Sequence, residues 1–185
     1  MYDRNQVVRV MQGWIGLKKS DGSHRIIIDT YNSITPLPTV KMTYDYDYCA
    51  CTYSACYHVP RYDAICPTEI SCGRMIDKAK KMGIWVERDD FVPLPGDGII
   101  YAWKDPKPKE DNTVGHDHIG MVLSVNNNTM KIGEGNMSGG KCGVRTLSIN
   151  GANIRGFVCP NFGDRDIKSE IQVKEQTKNT DVSSY

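Results

Sequence analysis

The chain carries, in three short segments, the residue types that cysteine-based acyl transfer requires. Cys49 follows Asp-Tyr, His118 begins His-Ile-Gly-Met-Val, and Glu134 and Asn136 flank a glycine. A free cysteine is mostly thiol at neutral pH, so a nucleophilic cysteine needs a nearby imidazole to accept its proton. A carboxylate or amide then holds that imidazole in the useful tautomer. The pattern predicts Cys49 as the nucleophile, His118 as the general base, and Glu134 and Asn136 as the orienting pair.

A short buried helix is predicted to carry the nucleophile. Pro60 stops a preceding helix, and the small and apolar residues that follow Cys49 fit a buried helix over 49–59. Asp47 is the expected N-cap. Cys49 then lies in the first turn, where the positive end of the helix dipole favours the thiolate.

A β-hairpin is predicted to bring the histidine to its partners. Three consecutive asparagines separate two apolar segments and suit a three-residue loop in which Val125 lies opposite Thr129. In that register His118 lies opposite Asn136, and Glu134 is its diagonal neighbour on the same face. Direct cross-strand neighbours are about 5 Å apart and diagonal ones about 7–8 Å, so both side chains are candidates to orient the imidazole.

The remaining pattern predicts helices first and strands second. Helical spacing and caps predict further helices over 6–17 and 70–82, the latter with Thr68 as its cap. Residues 25–31 fit a short helix or a strand, and we favour the helix. Apolar alternation after Pro95-Gly96-Asp97 predicts strands over 98–103, 118–125, 130–134, 144–149 and 154–158. This order is typical of an α+β fold in which N-terminal helices pack on an antiparallel β-sheet.

Length and composition limit the classes of protein to consider. The 185 residues suit one domain, predicted over 1–162, followed by a polar tail or linker over 163–185. A net charge of +1 does not favour nucleic-acid binding, and no apolar run is long enough to span a membrane. The N-terminus lacks a signal peptide, and seven cysteines indicate reduced thiols made in a cytoplasm.

Five short motifs, in order, resemble the CHAP domain, the cysteine, histidine-dependent amidohydrolase/peptidase family. The resemblance covers about residues 5 to 162. None of the motifs is decisive alone, and their order and spacing carry the resemblance. The motifs are Cys49-Ala50, Pro95-Gly96-Asp97, Asp117-His118-Ile119-Gly120, Glu134-Gly135-Asn136, and Arg155-Gly156-Phe157 running to Pro160.

The resemblance implies a papain-like fold and a peptidoglycan hydrolase. Such domains act as N-acetylmuramoyl-L-alanine amidases or as endopeptidases, and many occur in bacteriophage endolysins. The implied partner is bacterial peptidoglycan, reached by a protein made in the host cytoplasm. Many relatives also carry a wall-binding module, and we expect this module to be missing from the present chain. Tyr48 departs from the Trp that often precedes the nucleophile in relatives, which affects the expected shape of the groove.

Other assignments remain open for several of these residues. His116 is a rival general base two residues before His118. Tyr44 is a candidate second oxyanion donor beside the backbone N–H of Cys49. Trp85 and Trp103 are expected mainly in the core rather than in a substrate groove. The six cysteines other than Cys49 are interpreted as structural or incidental.

Metal binding is the other chemistry to weigh. Zinc is one alternative, although the ligand spacing matches none of the common zinc patterns. Calcium, which some relatives bind near the nucleophile, is a second one, although the six to eight oxygens that it needs are not evident. We expect no metal and no cofactor. The residues concerned are Cys49, Cys51, Cys56 and His58 for zinc, and Asp45 and Asp47 for calcium.

Two alternative functions keep the fold but change the role. One is a non-catalytic module that binds the cell wall or another partner, which would need the groove but not the catalytic set. The other is a cysteine peptidase or amidase that acts on a substrate other than peptidoglycan. The retention of every catalytic residue type favours an enzyme.

Overall fold

The computed structural model describes residues 2–88, 91–103, 115–167 and 169–170. Within them, helices come first and a six-stranded sheet follows. The helices are α1 (Arg4–Trp14), α2 (Arg25–Asn32), α3 (Cys49–His58) and α4 (Cys72–Met82), with a 3₁₀ helix at Lys19–Asp21. The strands are β1 (Trp85–Val86), β2 (Gly98–Tyr101), β3 (His118–Asn126), β4 (Thr129–Met137), β5 (Lys141–Ser148) and β6 (Ile154–Val158).

The sheet is antiparallel and has the strand order β1-β6-β2-β3-β4-β5. The predicted α+β class is therefore confirmed, as is the helix predicted over 25–31. The short strand β1, which pairs with β6 at one edge, was not predicted. At two residues it is too short to show an alternating pattern.

Helix α3 is buried between the other helices and the β-sheet. All ten of its residues are buried. It contacts α1 and α2 on the helical side and β3 and β4 on the sheet. A Cβ atom at Gly135 of β4 would overlap the Thr52 side chain of α3, so glycine is what allows helix and strand to approach this closely.

The register predicted for β3 and β4 is present beyond a bulge, although the loop of the hairpin is shorter than predicted. The loop has two residues rather than three, because Asn126 pairs with Thr129. A bulge between Val122 and Ser124 then shifts the register by one residue, so Met121 pairs with Gly133. This second register is the one that the three-residue loop predicted, and it carries His118 and Glu134 to the same end of the sheet.

Both predicted N-caps are wrong. Tyr48, not Asp47, is the residue before α3, and it makes no side-chain capping bond. The cap of α4 is Ser71 rather than Thr68, and its hydroxyl accepts from the N–H of Arg74. The predicted cap lies one residue too early in α3 and three residues too early in α4. The ends of a helix are the part that sequence patterns locate least precisely.

Packed structure continues past residue 162, where the predicted tail begins. Ile167 is buried in the cluster that contains Phe91 and Phe157. The Arg165 guanidinium lies 4.4 Å from the centroid of the Phe91 ring. Residues 171–185 of the predicted tail lie outside the described residues. No helix within the described ranges is long and apolar enough to cross a membrane.

A buried ion pair ties the N-terminus to the turn before β2. Arg4 Nη1 donates to Asp97 Oδ1 at 2.8 Å and to the Pro95 carbonyl at 2.9 Å, and Asp97 is fully buried. Burial raises the pKa of the Asp97 carboxyl, and the Arg4 charge opposes that rise. The second partner of Arg4, Asp164, is half-exposed. Arg4 is therefore the main compensating charge for Asp97, and Arg165 contributes less.

We expect Arg4→Ala to lower the free energy of unfolding by about 3 kcal/mol, because it leaves the Asp97 carboxylate buried without its ion-pair partner. The matched control is Asp164→Ala, which removes the exposed partner of the same arginine and is expected to cost less than about 1 kcal/mol. Urea denaturation of both variants measures the difference. Equal losses would contradict the importance of the Arg4–Asp97 pair.

Candidate active site

The nucleophile candidate lies at the start of α3. Cys49 is the first residue of that helix and is 9% exposed, so its sulfur lies at the edge of the core. The first N–H groups of a helix have no intrahelical acceptor and favour negative charge nearby. The backbone N–H of Ile119 also lowers the pKa of Cys49. The local backbone therefore favours a thiolate at this position.

His118 is the first residue of β3 and lies between Cys49 and Glu134. Its Nε2 atom is 3.2 Å from Glu134 Oε2. The ring also lies close enough to the Cys49 sulfur for each group to shift the pKa of the other. Because Nε2 contacts the Glu134 carboxylate, Nδ1 is the ring nitrogen available to interact with the Cys49 thiol. The structure thus brings together three of the four predicted site residues.

Glu134 is fully buried and has three partners. Besides His118, it accepts from the Tyr101 hydroxyl at 2.6 Å and from Arg145 Nε at 2.8 Å and Nη2 at 3.1 Å. Burial alone would raise its pKa. The hydrogen bonds from His118, Arg145 and Tyr101 outweigh burial and hold the pKa of Glu134 below its usual value. Glu134 is therefore a carboxylate at neutral pH.

The thiol and the imidazole form an ion pair. A hydrogen bond from Cys72 and the contact with His118 lower the pKa of Cys49 well below 9.0, although burial opposes them. Burial would lower the pKa of His118, but its bonds with Cys49 and Glu134 raise that pKa to about 9. At neutral pH the site therefore holds a thiolate beside an imidazolium. This is the reactive form of a cysteine nucleophile.

Cys72 is a neighbour of the nucleophile that the sequence did not reveal. Its sulfur lies 3.9 Å from that of Cys49. The bond to Cys49 and burial raise the pKa of Cys72 well above its usual value, so Cys72 stays a thiol and donates to the Cys49 thiolate. Cys72 was among the cysteines interpreted as structural or incidental, because a helical pattern indicates burial but not the neighbour across an interface.

Asn136 is close to the site but does not hold the imidazole. It adopts a left-handed backbone conformation with φ +57°, and its Nδ2 atom donates to Asp47 Oδ1 at 2.7 Å. This bond connects the end of β4 to the segment before α3. The structure therefore makes Glu134 the orienting group, with Asn136 holding the loop that precedes the nucleophile.

A cavity of about 240 Å³ opens beside His118. Trp103 on its rim is 41% exposed and stacks on Tyr101 at 4.3 Å, with the Arg145 guanidinium 5.1 Å from its ring centroid. Trp85, in contrast, is in the core. The lining residues are Trp103, His118, Asn136, Met137, Ser138 and Arg145. A larger cavity of about 650 Å³, lined by residues between 29 and 45, contains none of the catalytic side chains.

The rival base and the rival oxyanion donor lie elsewhere. His116 is exposed, and its ring lies over Gly73 in the first turn of α4. The Tyr44 hydroxyl donates to Asp29 at 2.8 Å, which commits it to a surface contact. Neither contact places these side chains beside the Cys49 sulfur.

The proposed zinc ligands do not converge in the part of the chain that the structure describes. No group of three or more histidine, cysteine, aspartate or glutamate side chains there is arranged to hold a metal ion. His58 instead pairs with Asp63, with Nδ1 3.0 Å from Oδ1. Asp47, one of the calcium candidates, accepts from Asn136.

The fold and the site define an α+β protein with a buried Cys-His-Glu arrangement. No family model matches the chain, and no curated protein sequence matches it. A solved structure, the crystal structure of Ly7917, superposes with a TM-score of 0.46 at 12% sequence identity. The match covers 86% of this chain and 63% of that one, so this chain spans less than two thirds of the other's length.

We expect the His118 imidazole to titrate near pH 9 in the wild-type protein and at a lower pH in Glu134→Gln, where Cys49 alone still raises the pKa. The carboxylate stabilises the imidazolium, so its removal lowers the pKa and the ion pair with Cys49 is lost at a lower pH. NMR titration of the imidazole measures this directly. The control is Asn136→Ala, which leaves the Glu134 contact and should keep the midpoint near 9. A wild-type midpoint near 6.5 would refute the ion pair.

Proposed function

We propose that this protein is a cysteine amidohydrolase that cuts an amide bond of bacterial peptidoglycan, built on a papain-like fold of the CHAP type. The observation that carries the catalytic part is the hydrogen bond between His118 and the buried Glu134 carboxylate, with Cys49 near enough for the thiol and the imidazole to shift each other's pKa. The substrate class rests on the resemblance of the five ordered motifs. A bacteriophage endolysin, as an N-acetylmuramoyl-L-alanine amidase or an endopeptidase, is the proposed biological setting.

The reaction is acyl transfer in two steps. The Cys49 thiolate attacks the amide carbonyl, and the His118 imidazolium gives its proton to the leaving amine. Water then attacks the thioester while His118 accepts its proton, which releases the acid and restores the thiolate. Glu134 keeps the ring oriented and stabilises its charged form throughout.

The first N–H groups of α3 are in position to stabilise the intermediate. A tetrahedral oxyanion forms next to the sulfur, and donors must be aimed at that point. The backbone N–H of Cys49 belongs to the first turn of α3 and has no intrahelical acceptor. It is therefore the proposed first donor of the oxyanion hole.

We expect Cys49→Ala and His118→Ala each to reduce hydrolysis of purified Gram-positive cell walls by roughly a thousandfold or more, because each removes a group that takes part in both steps. Turbidity loss measures the rate, and newly exposed amino groups show that an amide was cut. Thermal melting of each variant checks that the fold is kept.

Two control variants sharpen this test. His116→Ala removes a histidine that lies over α4 and should keep nearly full activity. Asn136→Ala loses the bond to Asp47 and should lose less activity than His118→Ala. Full activity of Cys49→Ala would end the proposal, and loss of activity in His116→Ala alone would transfer the role of base. Wall binding without bond cleavage would indicate a non-catalytic module.

A further inference from the structure

The first turns of two helices bring two cysteines together. Cys49 begins α3 and Cys72 begins α4, and their sulfur atoms are 3.9 Å apart. The two residues are far apart in sequence, so the tertiary structure alone creates this pair. Its position at two helix N-termini favours negative charge on either sulfur.

The pair differs from the other five cysteines. Cys49 and Cys72 are 9% and 7% exposed, whereas the remaining cysteines are 2% exposed or less. Burial also raises the pKa of each of those five thiols, and the pKa of Cys72 is raised too, so Cys49 alone of the seven has a lowered pKa. Because oxidants react with accessible thiolates, chemistry with a small oxidant concentrates on Cys49.

We propose that Cys49 and Cys72 form a reversible redox pair, in which a peroxide oxidises Cys49 and Cys72 converts the product to an intramolecular disulfide. The oxidation concerns the thiols alone, whereas its effect on wall hydrolysis rests on the proposed function. While the disulfide lasts, no thiolate is available for attack, so the enzyme is inactive until a thiol reductant restores it.

The two steps balance with hydrogen peroxide as the oxidant. The Cys49 sulfur attacks one peroxide oxygen, the O–O bond breaks, and the departing hydroxide takes the proton of the His118 imidazolium to form water. Cys49 is then a sulfenic acid. The Cys72 sulfur attacks the Cys49 sulfur, the S–O bond breaks, and the thiol proton leaves with the hydroxyl as a second water. Two thiols and one peroxide thus give one disulfide and two waters.

The geometry favours ring closure over further oxidation. A disulfide bond is about 2.05 Å long, so each sulfur needs to move by only about 1 Å from the present separation. A sulfenic acid on Cys49 therefore meets a thiol that is already in contact. Without Cys72, the sulfenic acid would persist and a second peroxide would convert it to sulfinic acid, which ordinary thiol reductants do not reverse.

The test treats the folded protein with hydrogen peroxide and measures intact mass, linked peptides and wall hydrolysis before and after dithiothreitol. We expect wild type to lose the mass of two hydrogen atoms, to yield a peptide linking Cys49 to Cys72, and to recover its starting activity on reduction. Cys72→Ser should instead gain oxygen atoms at Cys49 and recover only part of its own starting activity.

The controls separate this proposal from the proposed function. Cys142→Ser removes a cysteine whose sulfur contacts the Tyr48 hydroxyl, and should form the same linked peptide as wild type. Oxygen added to wild-type Cys49 without a linked peptide would overturn the proposal, as would a disulfide between other cysteines. The mass and peptide results need no activity, so they remain decisive even if the protein does not hydrolyse cell walls.

Discussion

The buried carboxylate of Glu134 is the interaction on which the site depends. A buried charge is costly unless it is paired and hydrogen-bonded, and Glu134 has partners from three other strands. Tyr101 comes from β2, His118 from β3 and Arg145 from β5. The same contacts therefore fix the order of neighbouring strands, the orientation of the imidazole and its charge. The thiolate at Cys49 depends on that charge and on the hydrogen bond from Cys72.

Two glycines allow α3 and the Glu134 side chain to pack closely against the neighbouring strands. Alternation along β4 sends Gly135 towards α3 and Glu134 towards the other face of the sheet. A side chain at Gly135 would overlap Thr52, and one at Gly120 would collide with the Glu134 side chain. Two glycines of the sequence motifs thus make room, one for the helix that carries the nucleophile and one for the orienting carboxylate. Their function is spatial rather than chemical.

The sequence predicted the residues of the site better than the contacts among them. The pairing of His118 with Glu134 followed from a loop that is one residue too long, and a bulge that carries no sequence signal offset this difference. Tyr101 and Arg145 could not be predicted, because their contact with Glu134 depends on the strand order, which local alternation does not give. Cys72 was missed for the same reason, since helical spacing reports burial but not the neighbour across the interface.

The same network explains how the rim of the site can recognise a substrate. Arg145 is bound to Glu134, which compensates its charge. Its planar guanidinium lies beside the Trp103 ring and offers a flat surface rather than a free cation. The remaining rim contributes the amide of Asn136 and the hydroxyl of Ser138. Among the described residues of this rim, the groups available for contact therefore offer stacking and hydrogen bonding rather than a free charge.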